Sequence, residues 1–258
     1  MKRFIQALSV MLVLSTLLSI NARAEECFAW YIVKKGHSTP GFANTELVER
    51  ENGFYIDKKA AENNEKILYI TFDAGYENGN VSKILDILRC ESVPAAFFIL
   101  SNIINKNPEL IVRMFDEGHL VCNHTKNHKN PAVLTNEEMA ANLKSLEDLC
   151  YEKTGKIMTK YFRFPEGKYD ERTLKEENKL GYTTFFWSLA YADWDNGNKP
   201  SKEASIKRIL NNTHPGAVIL LHPTADINAE IMPDLIKAWR DMGYSVGTLT
   251  DLVSRNSI

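Results

Sequence analysis

The sequence has little of three features that would restrict its class: cysteine, excess positive charge and linker-like segments. It contains 4 cysteines in 258 residues, too sparse for the disulfide framework of a small secreted module. Whether Cys27, Cys90, Cys122 and Cys150 pair is left open. The formal net charge of −2 argues against nucleic acid or an anionic membrane as the main partner. Because no segment has the low complexity of a linker, one large domain is expected.

Long apolar runs are also missing, except at the N-terminus. Residues 1–3 carry two positive charges, residues 4–20 are mostly apolar, and Ala22-Arg23-Ala24 has the small-x-small pattern of a cleavage site, which together are typical of a secretory signal peptide. A retained membrane anchor is the alternative, but the stretch is short and interrupted by polar residues. Lipidation at Cys27 is disfavoured by the two glutamates that precede it.

Cleavage after residue 24 of the 258 would leave 234 residues with 28 basic and 33 acidic side chains, a formal charge of −5. The acidic balance of the mature chain again disfavours nucleic acid or an anionic membrane as the main partner. The sequence thus predicts three segments: a signal peptide over 1–24, an N-terminal extension packing on the main domain over 25–65, and the main domain over 66–258.

From residue 67 onward, short apolar runs alternate with amphipathic stretches. The predicted strands are 67–72, 94–99, 119–122, 160–163, 183–187, 217–221 and 244–248. The predicted helices lie near 79–90, 108–117, 136–153, 171–180, 202–212 and 227–242, and TNEE from Thr135 is a capping box that marks the start of the third. Strands that alternate with helices, without hairpin signals, predict a parallel sheet, and closure would remove its edges. The expected fold is therefore α/β, a distorted seven-stranded (β/α) barrel with parallel strands; a doubly wound open sheet is the alternative.

Chemically active side chains follow the predicted strands at their carboxyl ends, where a parallel barrel builds its active site. They are Asp73, His124, His128, Arg163, Asp193, Trp194 and His222. Three of the 6 histidines of the chain fall in these places, which chance would rarely produce. His124 and His128 are four residues apart, so on a helical turn their Cβ atoms would lie about 5–6 Å apart on one face, close enough to share a metal ion.

Each of these residues also has an ordinary structural explanation. Asp73 opens a turn-rich stretch, where aspartate is common. His124 and His128 could be polar residues on a solvated turn. His222 is harder to explain in this way, because a histidine that ends an apolar strand needs a partner. Asp193 is the candidate for that partner.

The same residues lie in five ordered motifs: TFDAG (71–75), HTKNH (124–128), RFPEG (163–167), ADW (192–194) and LLH (220–222). In this order they resemble the motifs of the polysaccharide deacetylases, the family 4 carbohydrate esterases, over about residues 66 to 253. The surrounding TFDAGYENG and WSLAYADWD, with Trp30 in the extension, are similar to the delta-lactam-biosynthetic de-N-acetylases, which act on N-acetylmuramic acid in spore-cortex peptidoglycan. The fold that the resemblance implies is a distorted (β/α) barrel, in agreement with the strand count.

The resemblance also implies a catalytic role for four residues. Asp73 would be the base that activates water, oriented by Arg163. His222, held in position by Asp193, would be the acid that protonates the departing nitrogen, which amide hydrolysis requires.

The resemblance further implies that His124 and His128 hold a divalent metal ion, with zinc expected. The family motif usually reads T-F-D-D-G, and its second Asp is a metal ligand; here that position is Ala74. The ion would therefore be held weakly and lost to mild chelation. Cys122 is expected to be a packing residue rather than a substitute ligand. The implied substrate-binding residues are Trp194, Pro165 and Gly167.

The predicted function is that of an exported hydrolase that removes the N-acetyl group from N-acetylmuramic acid in peptidoglycan, a step toward the muramic δ-lactam. The expected partner is the glycan strand, with no nucleic acid, no membrane span after signal cleavage and a monomeric state. The expected location is the cell wall, the extracellular medium or the inter-membrane space of the forespore. The alternatives are a deacetylase of other N- or O-acetylated polysaccharides, such as chitin oligomers or acetylxylan, and a non-catalytic glycan-binding module. The presence of Asp73, Arg163, Asp193 and His222 disfavours the non-catalytic alternative.

Overall fold

The computed structural model describes residues 27–198 and 200–256. The predicted signal peptide, residues 1–24, lies outside the described residues. Within them, no helix is both long enough and apolar enough to cross a membrane. The four cysteines of this part of the chain are all free thiols, with Cys27 and Cys90 exposed and Cys122 and Cys150 buried.

The strands and helices of the described chain are mostly short. The strands are β1 (Phe28–Ala29), β2 (Ile32–Val33), β3 (Gly41–Phe42), β4 (Ile67–Ala74), β5 (Ala96–Ile99), β6 (Leu120–Asn123), β7 (Thr159–Phe162), β8 (Lys168–Tyr169), β9 (Thr183–Thr184), β10 (Ala217–Leu221) and β11 (Ser245–Val246). The helices are α1 (Thr45–Arg50), α2 (Lys58–Glu62), α3 (Asn80–Cys90), α4 (Ser101–Lys106), α5 (Pro108–Asp116), α6 (Asn136–Thr154), α7 (Glu171–Lys179), α8 (Lys202–Leu210), α9 (Asp226–Asp241) and α10 (Leu249–Asn256). Short 3-10 turns cover Pro131–Val133, Pro165–Gly167 and Asn196–Asn198.

Seven of the strands form one parallel sheet in the order β10-β4-β5-β6-β7-β9, with β11 paired to the start of β4. On one side of β4, Leu221 of β10 pairs with Phe72. On its other side, Phe98 of β5 pairs with Asp73. Because the strands are parallel, their carboxyl ends all lie at one end of the sheet. We call this end the mouth and the opposite end the base.

The segment after β9 closes the curled sheet. Thr183 and Thr184 pair with β7, whereas Leu189, a few residues later, pairs with Ile219 of β10. The amide nitrogens of Ser188 and Leu189 both donate to the carbonyl of Val218, at 2.9 and 3.1 Å. Residues 183–189 thus pair with β7 at one side of the sheet and with β10 at the other, which confirms the predicted distorted (β/α) barrel; the doubly wound alternative is wrong.

Residues before β4 fill the remaining gap between β9 and β10 near the base. Phe54 pairs with Phe185, and Ile56 pairs with Ala217. The Asp57 amide donates to the carbonyl of Gly216 at 2.9 Å. Gly216 has φ +75°, and a Cβ there would lie 2.3 Å from the Asp57 carbonyl oxygen, so this close approach of two backbones requires glycine.

β4 is buried on both faces, as is usual for a strand of a covered parallel sheet. Phe72 and Ala74 belong to the apolar layer between the sheet and the surrounding helices. Tyr69 belongs to the smaller apolar cluster inside the barrel. Since successive side chains of a strand alternate between faces, Asp73 points to the interior, on the same face as Tyr69.

The predicted elements are present, with differences at their ends. The fifth predicted strand, 183–187, is cut to Thr183–Thr184 because the chain leaves β7 there to reach β10. The six predicted helices are α3 and α5 to α9, and α6 begins with the expected capping box between Thr135 and Glu138. The short helices α1, α2, α4 and α10 were not predicted, because they offer little periodicity for recognition.

Candidate active site

The strands bring four of the predicted site residues together at the mouth. Asp73 is the next-to-last residue of β4, His124 follows β6, Arg163 follows β7 and His222 follows β10. Because Leu221 of β10 pairs with the residue just before Asp73, Asp73 and His222 come next to each other on neighbouring strands. The parallel register therefore gathers a carboxylate, a guanidinium and imidazoles at one edge.

Arg163 and Asp73 form a buried ion pair. Arg163 Nη1 lies 2.8 Å from Asp73 Oδ1, and the two side chains are 0% and 11% exposed. The guanidinium carbon lies 4.1 Å from the centre of the Phe98 ring. Burial by itself raises the pKa of Asp73, but His124 in its protonated form, the Arg163 guanidinium and protonated His222 outweigh burial and hold the pKa below its ordinary value. Asp73 is therefore ionised at neutral pH and available as a base.

His124 and His128 lie beside each other in a loop, with ring centroids 5.1 Å apart. The predicted helical turn is wrong, because Thr125 and His128 have φ values of 70° and 60°. His124 Nδ1 lies 2.8 Å from the carbonyl oxygen of Arg163, which can only accept, so Nδ1 carries the hydrogen and Nε2 the lone pair. Burial lowers the pKa of His124 to about 4, which leaves the ring neutral at pH 7.

The geometry around His124 fits a cation only in part. His124 Nε2 faces Asp73 Oδ2 at 3.4 Å. With the ring neutral and the carboxylate ionised, both atoms are acceptors, so a cation or the hydrogen atoms of a water molecule suit the space between them. The two adjacent imidazoles can thus hold a divalent ion. Across residues 27–198 and 200–256, however, no three or more His, Cys, Asp or Glu side chains are grouped to hold a metal.

Neither Ala74 nor Cys122 supplies a third ligand. Ala74 is fully buried among apolar side chains of the outer layer. Cys122 packs in the interior cluster with Tyr69 and Phe98, and burial raises the pKa of its thiol well above the ordinary value. A protonated thiol in an apolar cluster is a packing residue.

Asp193 holds His222 through two hydrogen bonds. His222 Nδ1 lies 2.7 Å from Asp193 Oδ1, and the His222 amide nitrogen donates to Oδ2 at 2.8 Å. The Asp193 side chain is fully buried, whereas that of His222 is 27% exposed. Burial alone lowers the pKa of His222, but the hydrogen bond and negative charge of Asp193 raise it above its ordinary value. The pair is suited to deliver a proton from Nε2 at neutral pH.

The three predicted substrate-binding residues lie in two loops. Trp194 is 68% exposed, and its ring centroid lies 6.1 Å from that of His222. Pro165 and Gly167 lie in the 3-10 turn after Arg163 and are buried. The Gly167 carbonyl accepts from the Trp30 amide at 2.8 Å, and a Cβ on Gly167 would come within 2.9 Å of the Trp30 Cβ. Substrate contact by these three residues stays a prediction.

Sequence reasoning missed two residues behind His222. Asn228, in the first turn of α9, donates to Asp193 Oδ2 at 2.6 Å, and the Tyr191 hydroxyl donates to the Asn228 side-chain oxygen. Asparagine is common near the start of a helix, so nothing in the sequence distinguishes this one. Only the closed barrel brings residues 191, 193 and 228 together.

Together these groups can carry out the hydrolysis of an amide or an ester by general acid and base catalysis. The chain belongs to the polysaccharide deacetylase family. The sequence pattern of that family matches residues 60–185, a segment that includes Asp73, His124, His128 and Arg163. The predicted family is therefore confirmed.

Individual relatives extend the similarity beyond that segment. The peptidoglycan-N-acetylmuramic acid deacetylase PdaA of Bacillus subtilis is 37% identical over 207 residues, which cover 80% of this chain and 77% of PdaA. A solved structure of B. subtilis PdaA, a family 4 carbohydrate esterase, matches with a TM-score of 0.85 and 34% identity, covering 90% of this chain and 99% of that one. A peptidoglycan-N-acetylglucosamine deacetylase of Bacillus cereus is 31% identical over 200 residues, 74% of this chain and 90% of the relative.

Proposed function

We propose that this protein is an exported hydrolase that removes the N-acetyl group from N-acetylmuramic acid in peptidoglycan. The observation that carries the proposal is the pair of supported side chains on neighbouring strands: Asp73 held by Arg163, and His222 held by Asp193. The choice of sugar is supported by the similarity to PdaA, which is a peptidoglycan-N-acetylmuramic acid deacetylase.

In the proposed reaction, Asp73 takes a proton from the attacking water. Its Oδ1 is bonded to Arg163, whereas Oδ2 faces a nitrogen of His124 that carries a lone pair. Oδ2 is therefore the oxygen that can accept a proton. The charge of Arg163 keeps the carboxylate ionised until the water arrives.

His222 supplies the proton that the departing nitrogen needs, because an amide anion is a poor leaving group. Asp193 fixes the hydrogen on Nδ1, so the proton is delivered from Nε2. The water oxygen leaves in acetate, and the amine stays on the sugar. In this arrangement the exposed Trp194 ring next to His222 would form a wall beside the acetyl group, with the turn of Pro165 and Gly167 as a further substrate contact.

A divalent metal ion would be held by His124 and His128, with zinc the first candidate because imidazole nitrogen suits it. When bound, such an ion polarises the acetyl carbonyl and the attacking water. With two protein ligands rather than three, it is expected to exchange readily.

The product amine lies on the same sugar as the lactyl carboxyl group of muramic acid. Joining these two groups would give the muramic δ-lactam of spore cortex, so deacetylation would be the step before ring closure. We place the protein outside the cytoplasmic membrane, after removal of residues 1–24, as a monomer acting on glycan strands. N-terminal sequencing of the secreted form, with Glu25 expected as the first residue, and light scattering of the purified protein test these two points.

The function is tested by mass spectrometry of reaction products. The mature protein is incubated with peptidoglycan glycan strands, with and without stem peptides, and in parallel with chitin oligomers and acetylxylan. We expect acetyl loss from the muramic residues. Acetate release from acetylxylan alone would show an esterase, release from chitin oligomers alone a different polysaccharide deacetylase, and no release from any substrate by folded protein a non-catalytic module.

A further inference from the structure

A chain of hydrogen bonds runs behind His222, from Asp193 through Asn228 to Tyr191. Asp193 Oδ2 accepts from the His222 amide at 2.8 Å and from Asn228 Nδ2 at 2.6 Å. Asn228 Nδ2 also donates to the His222 carbonyl oxygen at 2.9 Å. Asn228 thus contacts both members of the Asp193–His222 pair.

The neighbours of Asn228 fix the orientation of its amide. The Nδ2 atom faces a carboxylate and a carbonyl, which only accept, so both of its hydrogens are used. The Tyr191 hydroxyl donates to the remaining oxygen. Asn228 is fully buried, and any other rotamer would leave buried polar groups unpaired, which is costly.

The chain of bonds links two irregular segments to a rigid element. Asp193 and His222 lie outside any helix or strand. Asn228 lies in α9, a helix of 16 residues that packs against α3 and α8. A reactive side chain held by groups on a packed helix keeps its geometry better than one held by loops alone.

We infer that Asn228 is a positioning residue for the Asp193–His222 pair, and that Tyr191 fixes the Asn228 amide. The inference rests on the proposed function, in which His222 is the acid. Asn228 acts through Asp193: by bonding Oδ2, it leaves Oδ1 aligned with His222 Nδ1, and so presents Nε2 in one orientation.

The kinetic test compares Asn228→Ala with Ile231→Ala, a buried residue of the same helix that belongs to the apolar layer between the sheet and the helices. Asn228→Ala is expected to lower kcat about 10- to 100-fold, the usual cost of losing an outer hydrogen-bond partner, with KM changed by less than about twofold. Ile231→Ala is expected to lower the melting temperature while keeping kcat. Tyr191→Phe, which removes one hydroxyl and keeps the packing, is expected to lower kcat by a smaller factor.

A double-mutant cycle separates positioning from general damage. If Asn228 acts through Asp193, adding Asn228→Ala to Asp193→Ala should cause little further loss of kcat, because coupled residues are not additive. Equal losses of kcat in both backgrounds, or a kcat for Asn228→Ala within about twofold of wild type, would overturn the inference.

A measurement on the free protein decides the case independently of substrate. In wild type, the His222 Nδ1 hydrogen should give a downfield imidazole NMR signal that exchanges slowly with water, assigned by its loss in His222→Gln. We expect this signal to broaden by exchange in Asn228→Ala, and to persist in Ile231→Ala. If it persists in Asn228→Ala, the positioning inference is wrong. If it behaves as expected but wild type releases no acetate from any of the substrates, the proposed function is wrong and the positioning of His222 stands.

Discussion

Each end of the barrel buries an aspartate beside an arginine, and the two carboxylates differ in how many donors surround them. At the mouth, Asp73 accepts from Arg163 through one oxygen, while the other faces the lone pair of His124. At the base, Asp57 accepts from four donors, on Ala60, Asn256, Tyr69 and Arg255. A carboxylate whose oxygens are all engaged is part of the structure, whereas one with a free oxygen can take a proton.

The same contrast holds for two histidines. His222 at the mouth is partly exposed and paired with Asp193, which raises its pKa. His119, just before β6 at the base, is buried and accepts from the Ala95 amide at 3.2 Å; burial lowers its pKa to about 4. At His119 burial outweighs the neighbouring charge of Glu117 and keeps the ring neutral, whereas the direct hydrogen bond to Asp193 outweighs burial at His222 and favours the protonated ring.

The largest expected effect is on catalysis at the mouth. Asp73→Asn and His222→Ala each remove a group that transfers a proton in the proposed reaction, so acetate release is expected to fall about 10²- to 10⁴-fold. The measurement is the rate of acetate release, with circular dichroism and a melting curve to show that each variant folds. Near-normal release by either variant would contradict its role.

The matching change at the base is Asp57→Asn. It leaves Arg255 and Tyr69 without their charged acceptor, so the free energy of unfolding is expected to fall by about 2–4 kcal/mol, while kcat changes by less than about twofold. Urea unfolding and acetate release measure the two quantities. If Asp57→Asn lost as much kcat as Asp73→Asn and kept its stability, the assignment of Asp57 to a structural role would be wrong.

His119 makes stability depend on pH. An unfolded histidine titrates near ~6.5 and the folded one at about 4, so the unfolded state binds more protons between these values. The free energy of unfolding should therefore fall as the pH drops from about 6.5 to about 4, by roughly 3 kcal/mol in all from this residue.

Urea unfolding across this pH range compares wild type with His119→Asn, which keeps a hydrogen-bond acceptor but does not titrate. The variant is expected to have a shallower slope. Some slope should remain, because burial also lowers the pKa of His124 and His214. An unchanged slope would show that folding does not lower the pKa of His119.

The pH dependence of activity should report the Asp193–His222 pair. In the proposed reaction the acid is protonated His222, so activity is expected to decline as the pH rises through a pKa above the ordinary value of histidine. Asp193→Asn removes the charge that raises this pKa, and the alkaline limb of kcat should move to lower pH. A limb that stays in place would mean that another group supplies the proton.

The smallest expected effect concerns the metal ion. Mild chelation should lower wild-type activity, and added zinc should restore it. Ala74 is the last residue of β4, and an ionised carboxylate is costly among apolar groups, so the side chain of Ala74→Asp is expected to turn toward the mouth and to bind zinc more tightly in titration calorimetry. The rate should be unchanged or lower, because a second carboxylate would raise the pKa of Asp73. Since Ala74 is buried among apolar groups, the variant should lose stability that zinc partly restores.

Ala74→Asn is the matched control, of similar size but without the charge. It should show the loss of stability without a comparable recovery in zinc. Equal or weaker zinc binding by Ala74→Asp would show that position 74 does not face the metal.

The sequence was informative wherever one local pattern determined the structure. The apolar run of β4 followed by Asp73 predicted both a buried strand and a carboxylate at its end, and the capping box at Thr135 fixed the start of α6. Side chains after successive strands could be placed at one edge because parallel strands share a direction.

The sequence was less informative where a segment changes its strand partner or its backbone geometry. The pattern of residues 183–187 predicts one apolar strand, but the chain passes there from β7 to β10. The point at which it leaves β7 depends on the distance between two strands that are far apart in sequence. The loop from His124 to His128 has the spacing of a helical turn, yet two non-glycine residues adopt positive φ. Asn228 has a role only through neighbours that the closed barrel supplies.

The closing of the sheet near its base has a consequence for how the protein folds. The pairings of Phe54 with Phe185 and of Ile56 with Ala217 join residues roughly 130 and 160 positions apart, and contacts of such long range slow folding. The wall of the barrel cannot be completed until β10 has been synthesised, although the residues that seal it are made before β4. The pairings that close the barrel therefore need residues from both ends of the chain and should form last. Amide hydrogen exchange during refolding should show Phe54 and Asp57 protected later than the middle of β4.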